Sequence, residues 1–263
     1  MNPLPATGGA DKESRDQARR NAPLAVMSLD RLVSVQDYAD FARTYAGIGK
    51  ASAAQLSNGR NQLVHLTIAG VDNIPIATTS DLYRNLFRSL HQYGNPSAPL
   101  LIALFEVKLL VISANVRVLD DFLWEAVAQN IRNALLAAFS FEQRDLGHPV
   151  YQSEVLSVIQ GIAGVSYVEL DILDAIDQDK LINALDTIHQ QELQAQTQFG
   201  TKPNLAQDLS DLLNLGPSPV VAVDLAQRDK DTPTIIHPAQ LAFLSPDVPD
   251  TLILTELNND PKR

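Results

Sequence analysis

The spacing of apolar residues changes period several times along the chain, and each change predicts an element. Tyr38, Phe41, Ala42 and Tyr45 recur at helical spacing. Ser34 and Asp37 form a Ser-x-x-Asp capping box with Val33 and Tyr38 at the staple positions, which predicts a helix from Ser34 to Gly47. Residues 50–56 read as extended, Ser57-Asn58-Gly59-Arg60 turns the chain back, and Val64, Leu66 and Ile68 alternate with Leu63, His65 and Thr67 as the partner strand. Ser80 then caps a second helix whose Leu82, Leu86, Leu90 and Tyr93 form a stripe ending at Gly94-Asn95-Pro96. The clearest alternation follows, with Leu110, Ile112, Ala114, Val116 and Val118 on one face and a second face that turns polar toward Asn115 and Arg117.

A long helix is expected from Asp120 or Asp121 to near Phe141, with Leu123, Val127, Ile131, Leu135 and Phe139 at four-residue spacing. A further helix over 152–160 buries Val155, Leu156 and Ile159, and Gly161-Ile162-Ala163-Gly164 leads into a strand over 165–172. Helix, Gly-Ile and strand therefore occur twice, with Phe41, Tyr45 and Ile48 matching Val155, Ile159 and Ile162 at equal distances from Gly47 and Gly161. A weak internal duplication and convergence on one local solution both explain the echo. Beyond Leu173 the pattern thins. A Gln-rich helix is expected over 175–198, carrying Ile176, Leu181, Leu185 and Ile188, with a short amphipathic piece over 205–215. Asp174, Asp177 and Asp179 lack calcium-loop spacing and read as a charged helix start. Residues 220–225 and 251–257 read as strands in a tail holding seven prolines between 203 and 249, which predicts edge strands open to pairing with another chain.

The expected fold is α+β: small mixed α/β modules (helix, strand hairpin, helix, strand) with the weak duplication, plus an extended C-terminal tail. Its divisions are an N-terminal strap over 1–33, a first module over 34–118, a second over 119–174, and a helical connector with a C-terminal arm over 175–263.

Composition narrows the function classes. The chain has 263 residues, 45% of them hydrophobic, enough for one or two cores. The apolar run over 99–118 is broken by Glu106, Lys108 and Arg117, so no membrane-spanning segment is expected. The start lacks the pattern of a secretory signal, so synthesis in the cytoplasm is expected. Absence of cysteine removes disulfides, thiolate nucleophiles and cysteine-ligated metals. The net charge of −11 is concentrated late: residues 171–263 carry 15 acidic and 6 basic side chains. Such a surface repels phosphate backbones, so no nucleic-acid partner is expected; it serves solubility or docking on a basic surface.

Chemical motifs fail on inspection. Gly47-Ile48-Gly49-Lys50-Ala51-Ser52 lacks the first Gly and the final Ser/Thr of a phosphate loop and follows a helix. Ser166 in Gly164-Val165-Ser166-Tyr167-Val168 lacks the second Gly of a nucleophile elbow. Histidines 65, 91, 148, 189 and 237 are scattered, His65 on the less apolar strand face, and Asp120-Asp121 suits a helix N-terminus better than an acid–base pair. No catalytic residue, cofactor or metal is expected. The candidate residues are interface ones: Trp124 at the start of the long helix, Val220, Val221 and Val223 in one tail strand, and Leu252, Ile253 and Leu254 in the other. A packing role against Leu119 is the alternative for Trp124.

Two stretches carry a resemblance: Asn2-Pro3-Leu4-Pro5-Ala6-Thr7-Gly8-Gly9-Ala10-Asp11, and residues 137–151, which include Phe141-Glu142-Gln143-Arg144-Asp145-Leu146-Gly147-His148-Pro149. With Asp37-Tyr38, Asp40-Phe41-Ala42, Leu86-Phe87, Ser113-Ala114-Asn115-Val116-Arg117-Val118 and Pro238-Ala239-Gln240-Leu241, the chain resembles the baseplate J-like family, as its carboxy-terminal portion or a short member. The resemblance implies a wedge subunit of a contractile phage tail or contractile injection system, in a hetero-oligomeric sixfold ring that drives sheath contraction. The implied partners are a related second wedge protein, a small sheath-initiator-type protein and, indirectly, the hub and spike. The implied location is a virion tail baseplate or an intracellular contractile particle, and no catalytic residues are transferred. The other class considered is a particle-associated carbohydrate-binding or polysaccharide-cleaving module, which would need clustered carboxylates or exposed aromatics on one strand face.

Overall fold

The computed structural model describes residue 15 and residues 32–57, 62–95, 99–177, 215–230, 232 and 234–257. The helices expected over 175–198 and 205–215 lie largely outside these residues, as does most of the strap expected over 1–33. In chain order the elements are α1 (Val35–Arg43), β1 (Ile48–Ser57), β2 (Gln62–Gly70), α2 (Asp81–Tyr93), β3 (Leu100–Leu104), β4 (Glu106–Val118), α3 (Trp124–Ala138), β5 (Val150–Tyr151), α4 (Gln152–Gln160), β6 (Val165–Asp177), β7 (Val220–Val221), β8 (Gln227–Arg228), β9 (Ile236–His237), β10 (Gln240–Phe243) and β11 (Leu252–Glu256). They form two compact units: Met1–Glu106 with Asp224–Gln240, and Val107–Val223 with Leu241–Arg263. The fold is mixed α+β, with several small sheets.

In the first unit the sheet order is β1-β2-β3. β2 is antiparallel to β1, from Ser57↔Gln62 to Ile48↔Gly70. It is parallel to β3, from Val64↔Leu100 to Ile68↔Leu104. Val64, Leu66 and Ile68 pack with Tyr38 and Ala42 of α1 and Leu86 and Leu90 of α2 into one core cluster. Each such aliphatic side chain contributes about 1.5–3 kcal/mol by leaving water. The opposite face of β2, read from the sequence as the less apolar one, is buried as well, through Leu63, His65, Thr67 and Ala69. α1 starts as expected, with the Ser34 hydroxyl accepting from the Asp37 amide and the Asp37 carboxylate accepting from the Ser34 amide. The expected staple is displaced. Val33 is 80% exposed, and Leu32 enters the core instead, its amide donating to the Tyr93 carbonyl at 2.9 Å.

The apolar run over 99–118 is two strands, not one. β3 ends at Leu104 and β4 starts at Glu106, and the unit boundary follows Glu106, so residues 107–118 fall in the second unit. Near-continuous apolar sequence hides the break, since a strand buried on both faces has no alternation to interrupt.

In the second unit β6 lies antiparallel along β4, from Lys108↔Asp177 to Val118↔Val165. β11 runs parallel to β4, from Leu252↔Ile112 to Glu256↔Val116. A strand has two edges, so β11 and β10 share the edge opposite β6. Leu110, Ile112, Ala114 and Val116 pack against Val127, Ile131 and Leu135 of α3 and Val155 and Ile159 of α4. Two boundaries shift from expectation. α3 begins at Trp124 with Leu123 as a cap lacking a side-chain bond, so Asp120 and Asp121 sit in the preceding turn and Leu123 is 75% exposed. β6 continues to Asp177, because pairing with Leu109 and Leu110 holds Ala175 and Ile176 as strand; residues 175–177 do not start a helix.

The duplication is present at a different register. α1 and α4 each span nine residues, and each is followed after a four-residue turn by a strand, β1 at Ile48 and β6 at Val165. The Ile48 amide donates to Tyr45 and the Val165 amide to Ile162, and the glycines before both strands, Gly47 and Gly164, share φ +94°. Gly47 therefore corresponds to Gly164, and Tyr38 and Ala42 to the buried Val155 and Ile159. Gly161, matched to Gly47 in the sequence reading, has φ −71° and only ends the helix. The sheets share a plan too, since β2 and β4 are each flanked by an antiparallel strand, β1 or β6, entered from a helix, and by a parallel one, β3 or β11. Gly47→Ala and Gly164→Ala should each cost about 1–3 kcal/mol, because both have positive φ and a Cβ would collide with Leu82 Cδ1 and with the Phe122 ring, respectively. Gly161→Ala should cost less than either, as read by denaturant unfolding.

Candidate functional site

The stretch over 137–151 folds around a buried arginine. Arg144 leaves the segment after α3, with its side chain 8% exposed. Its Nη1 donates to Glu154 Oε2 of α4 at 3.1 Å, and Nη2 donates to the carbonyls of His148, at 3.2 Å, and Pro149. The guanidinium carbon lies 5.7 Å from the centroid of the Phe139 ring. Nη2 also lies 3.2 Å from His148 Nδ1, which places that ring nitrogen as an acceptor. Gly147, at φ 71°, supplies the left-handed step that turns both carbonyls toward the arginine. Arg144 thus joins the end of α3, the loop and the start of α4, and this planar fork accounts for why arginine and not lysine suits the position. The sequence singled out the stretch by resemblance, while the burial of its arginine had no sequence signal.

The expected interface residues divide between core and surface. Val221, Val223 and Leu252 are buried in the second unit's own core, because β7 pairs with β5 and β11 with β4; they hold the unit together. Trp124 and Leu254 pack half-buried against the same core. Val220 is exposed opposite the exposed Tyr151, its partner in the β5–β7 pair. Ile253 is half-buried and paired with Ser113.

Backbone phase identifies what the edges offer. The Val64 amide donates to Pro99 and the Phe105 amide to Ile68, so 99, 101, 103 and 105 turn toward β2 while 100, 102 and 104 turn outward. The Tyr83 hydroxyl donates to the outward carbonyl of Ile102 at 2.9 Å, guarding the middle of this edge. In β11 the Leu257 amide donates to Val116, so Leu254 and Glu256 present their backbone outward, while the Leu252 amide is taken by the Pro249 carbonyl. Sequence reasoning found the β11 edge and missed the β3 edge, which the continuous apolar run conceals.

Two histidines occupy opposite environments, both in the first unit. His65 on β2 is fully buried, its Nε2 has no hydrogen-bond partner, and burial lowers its pKa. His237 on β9 is half-exposed, with Nε2 3.1 Å from Asp229 Oδ2 and Nδ1 3.5 Å from Glu106 Oε1. Its pKa is raised, chiefly by the Asp229 hydrogen bond and then by Glu106. Neither pairing is visible in the sequence. Among the described residues no group of three or more His, Asp or Glu side chains could hold a metal ion, and no helix is long and apolar enough to cross a membrane.

These features define an α+β protein of helix-backed mixed sheets with accessible strand edges. Residues 30–103, which hold α1, the β1–β2 hairpin, α2 and β3, match the family described as the Baseplate J-like central domain. The resemblance read from the sequence is borne out there; the stretch over 137–151 lies beyond the matched residues. A chain of the cryo-EM structure of the anti-feeding prophage (AFP) baseplate, 6-fold symmetrised, is similar at 16% identity and TM-score 0.45, covering 66% of this chain. This chain spans 40% of that one's length. No curated protein matches.

Arg144→Ala should destabilise the second unit by about 2–3 kcal/mol, because the carbonyls of His148 and Pro149 lose their donor. Arg144→Lys should recover only part of this, as read by denaturant unfolding. A His with a lowered pKa adds stability that is complete above its ordinary value of about 6.5 and is lost as pH falls toward the folded value. Acidification should therefore destabilise the first unit through His65, and His65→Leu should narrow the difference in unfolding free energy between about pH 5 and about pH 7.5.

Proposed function

We propose that the chain is a structural subunit of a baseplate, acting by protein–protein contact and without catalysis of its own. The observation that carries this is the match of residues 30–103 to the Baseplate J-like central domain, which supports a baseplate structural role. The finer reading is a wedge position in the sixfold ring of a contractile tail or contractile injection system, coupling rearrangement of that ring to sheath contraction. Its partners on this reading are a related second wedge protein and a small sheath-initiator-type protein, with hub and spike engaged indirectly.

The physical support is in the edges. Short strands with outward backbone groups, such as β3 and β11, accept strands from neighbours through main-chain bonds. Val220, Ile253, Leu254 and Trp124 are the sequence-expected contact residues with surface left to offer. The test is negative-stain electron microscopy of material captured from native lysate through a tag on this chain. Rings, or contractile particles tagged at one end, are the expected result. A small oligomer of this chain alone, with no particle, would overturn the proposal.

A further inference from the structure

Residues Asp224–Gln240 belong to the first unit although the chain on either side of them belongs to the second. The segment is closed on itself: the Asp224 amide donates to Gln240 Oε1 at 3.1 Å, and the Gln240 amide donates to the Asp224 carbonyl at 2.9 Å. Inside it β8 and β9 pair antiparallel, and the Asp229 amide donates to the Ile235 carbonyl. Its attachment to the rest of the first unit is largely polar. The Ala239 amide donates to Thr67 Oγ1 of β2 at 3.0 Å, the Glu106 amide donates to the Ala239 carbonyl at 3.1 Å, and Gln240 Nε2 donates to Glu106 Oε2 at 3.0 Å. Among the described residues of the segment the fully buried ones are small, Ala226 and Ala239, with Ile236 and Pro238 half-buried and Leu225 and Ile235 exposed.

His237 completes the attachment in a way that depends on its charge. One ring nitrogen faces Asp229 within the segment and the other faces Glu106 outside it. A carboxylate only accepts, so both nitrogens must donate, and imidazole has two donors only as the cation. A neutral ring turns a lone pair toward one of the two carboxylates and loses that contact. Among the described residues the charges acting on His237 are those of Asp229 and Glu106, both negative. Its cross-strand partner Gln227 is uncharged.

We propose that Asp224–Gln240 is a releasable strap over β2, fastened by a cationic His237 bridging Asp229 and Glu106, and loosened when His237 loses its proton. The raised pKa of His237 fits this geometry and sets the direction. The contribution is complete below the ordinary value of about 6.5 and is lost as pH rises through the higher folded value. His65, beside Thr67, acts in the opposite sense at acid pH, so the strap is held best between the two titrations. The inference does not depend on the baseplate reading.

The test is hydrogen exchange of the intact chain across the titration of His237, corrected for the intrinsic pH dependence of exchange, with the ring titrated in parallel by NMR. Peptides spanning 224–240 and β2 should lose about three- to tenfold protection as His237 deprotonates, with one midpoint for ring and strap, above about 6.5. His237→Gln should show the looser level at every pH, and Asp229→Asn should move the midpoint down. Protection of the strap that is unchanged by H237Q, or a ring that titrates at or below its ordinary value, would overturn the proposal. Circular dichroism of each variant separates strap release from loss of fold.

Discussion

Burial of the two central strands on both faces is the constraint from which the rest of the molecule follows. β2 is buried from Leu63 to Gly70, and β4 from Leu109 to Ala114. A strand so placed must satisfy its backbone on both edges, since an unpaired buried amide or carbonyl costs about 1–3 kcal/mol. It must also be covered on both faces. Each unit meets the first demand in the same manner, with an antiparallel neighbour on one edge and a parallel one on the other. Two helices cover one face of each sheet. On the other face of β2 the strap reaches Thr67 through Ala239, which explains why a piece of chain from beyond residue 223 is part of the first unit.

The same solution fixes where the molecule can meet others. Pairing is complete for the central strands and incomplete for the flanking ones, so the outward backbone groups of β3 and β11 are the natural points of strand addition. Tyr83 occupies one acceptor on β3, which leaves a short and partly guarded edge, a form that limits indiscriminate pairing. A subunit of an assembly benefits from such edges, where main-chain bonds form only when a partner of matching length arrives. Val221, Val223 and Leu252 are buried in the second unit's own core, whereas their neighbours Val220 and Ile253 keep surface exposed.

Much of the fold was legible because local chemistry agreed with the final structure. The Ser34–Asp37 box, the Ser80 cap, the stripes on α2, α3 and α4, and the inner face of β4 are each visible from residue type and spacing. What stayed hidden depends on contacts far apart in sequence. Residues 99–118 read as one apolar run because the break at Phe105 separates two strands that join different sheets. Residues 175–177 read as helix because their pairing with residues 108–110 of β4 is invisible locally. The duplication was found one turn out of register, since Gly161 and Gly164 both follow a helix and only φ tells which matches Gly47. The Arg144 loop was singled out as a pattern, and its physical content, a buried guanidinium collecting carbonyls, appeared only in three dimensions. The His237 bridge joins residues 106, 229 and 237, a combination no spacing rule would select.

The central claim is that the two central strands hold the units together while the flanking edges engage neighbours. Hydrogen exchange compared between the isolated chain and the chain within its native particle tests this most directly. The account predicts that amides of Leu100, Ile102 and Leu104 in β3 and of Leu254 and Glu256 in β11 gain protection on assembly, while those of β2 and β4, and that of Leu252, which already donates to the Pro249 carbonyl, are slow beforehand and do not change. Edge amides that gain nothing in the particle, or central-strand amides that become slow only there, would contradict it.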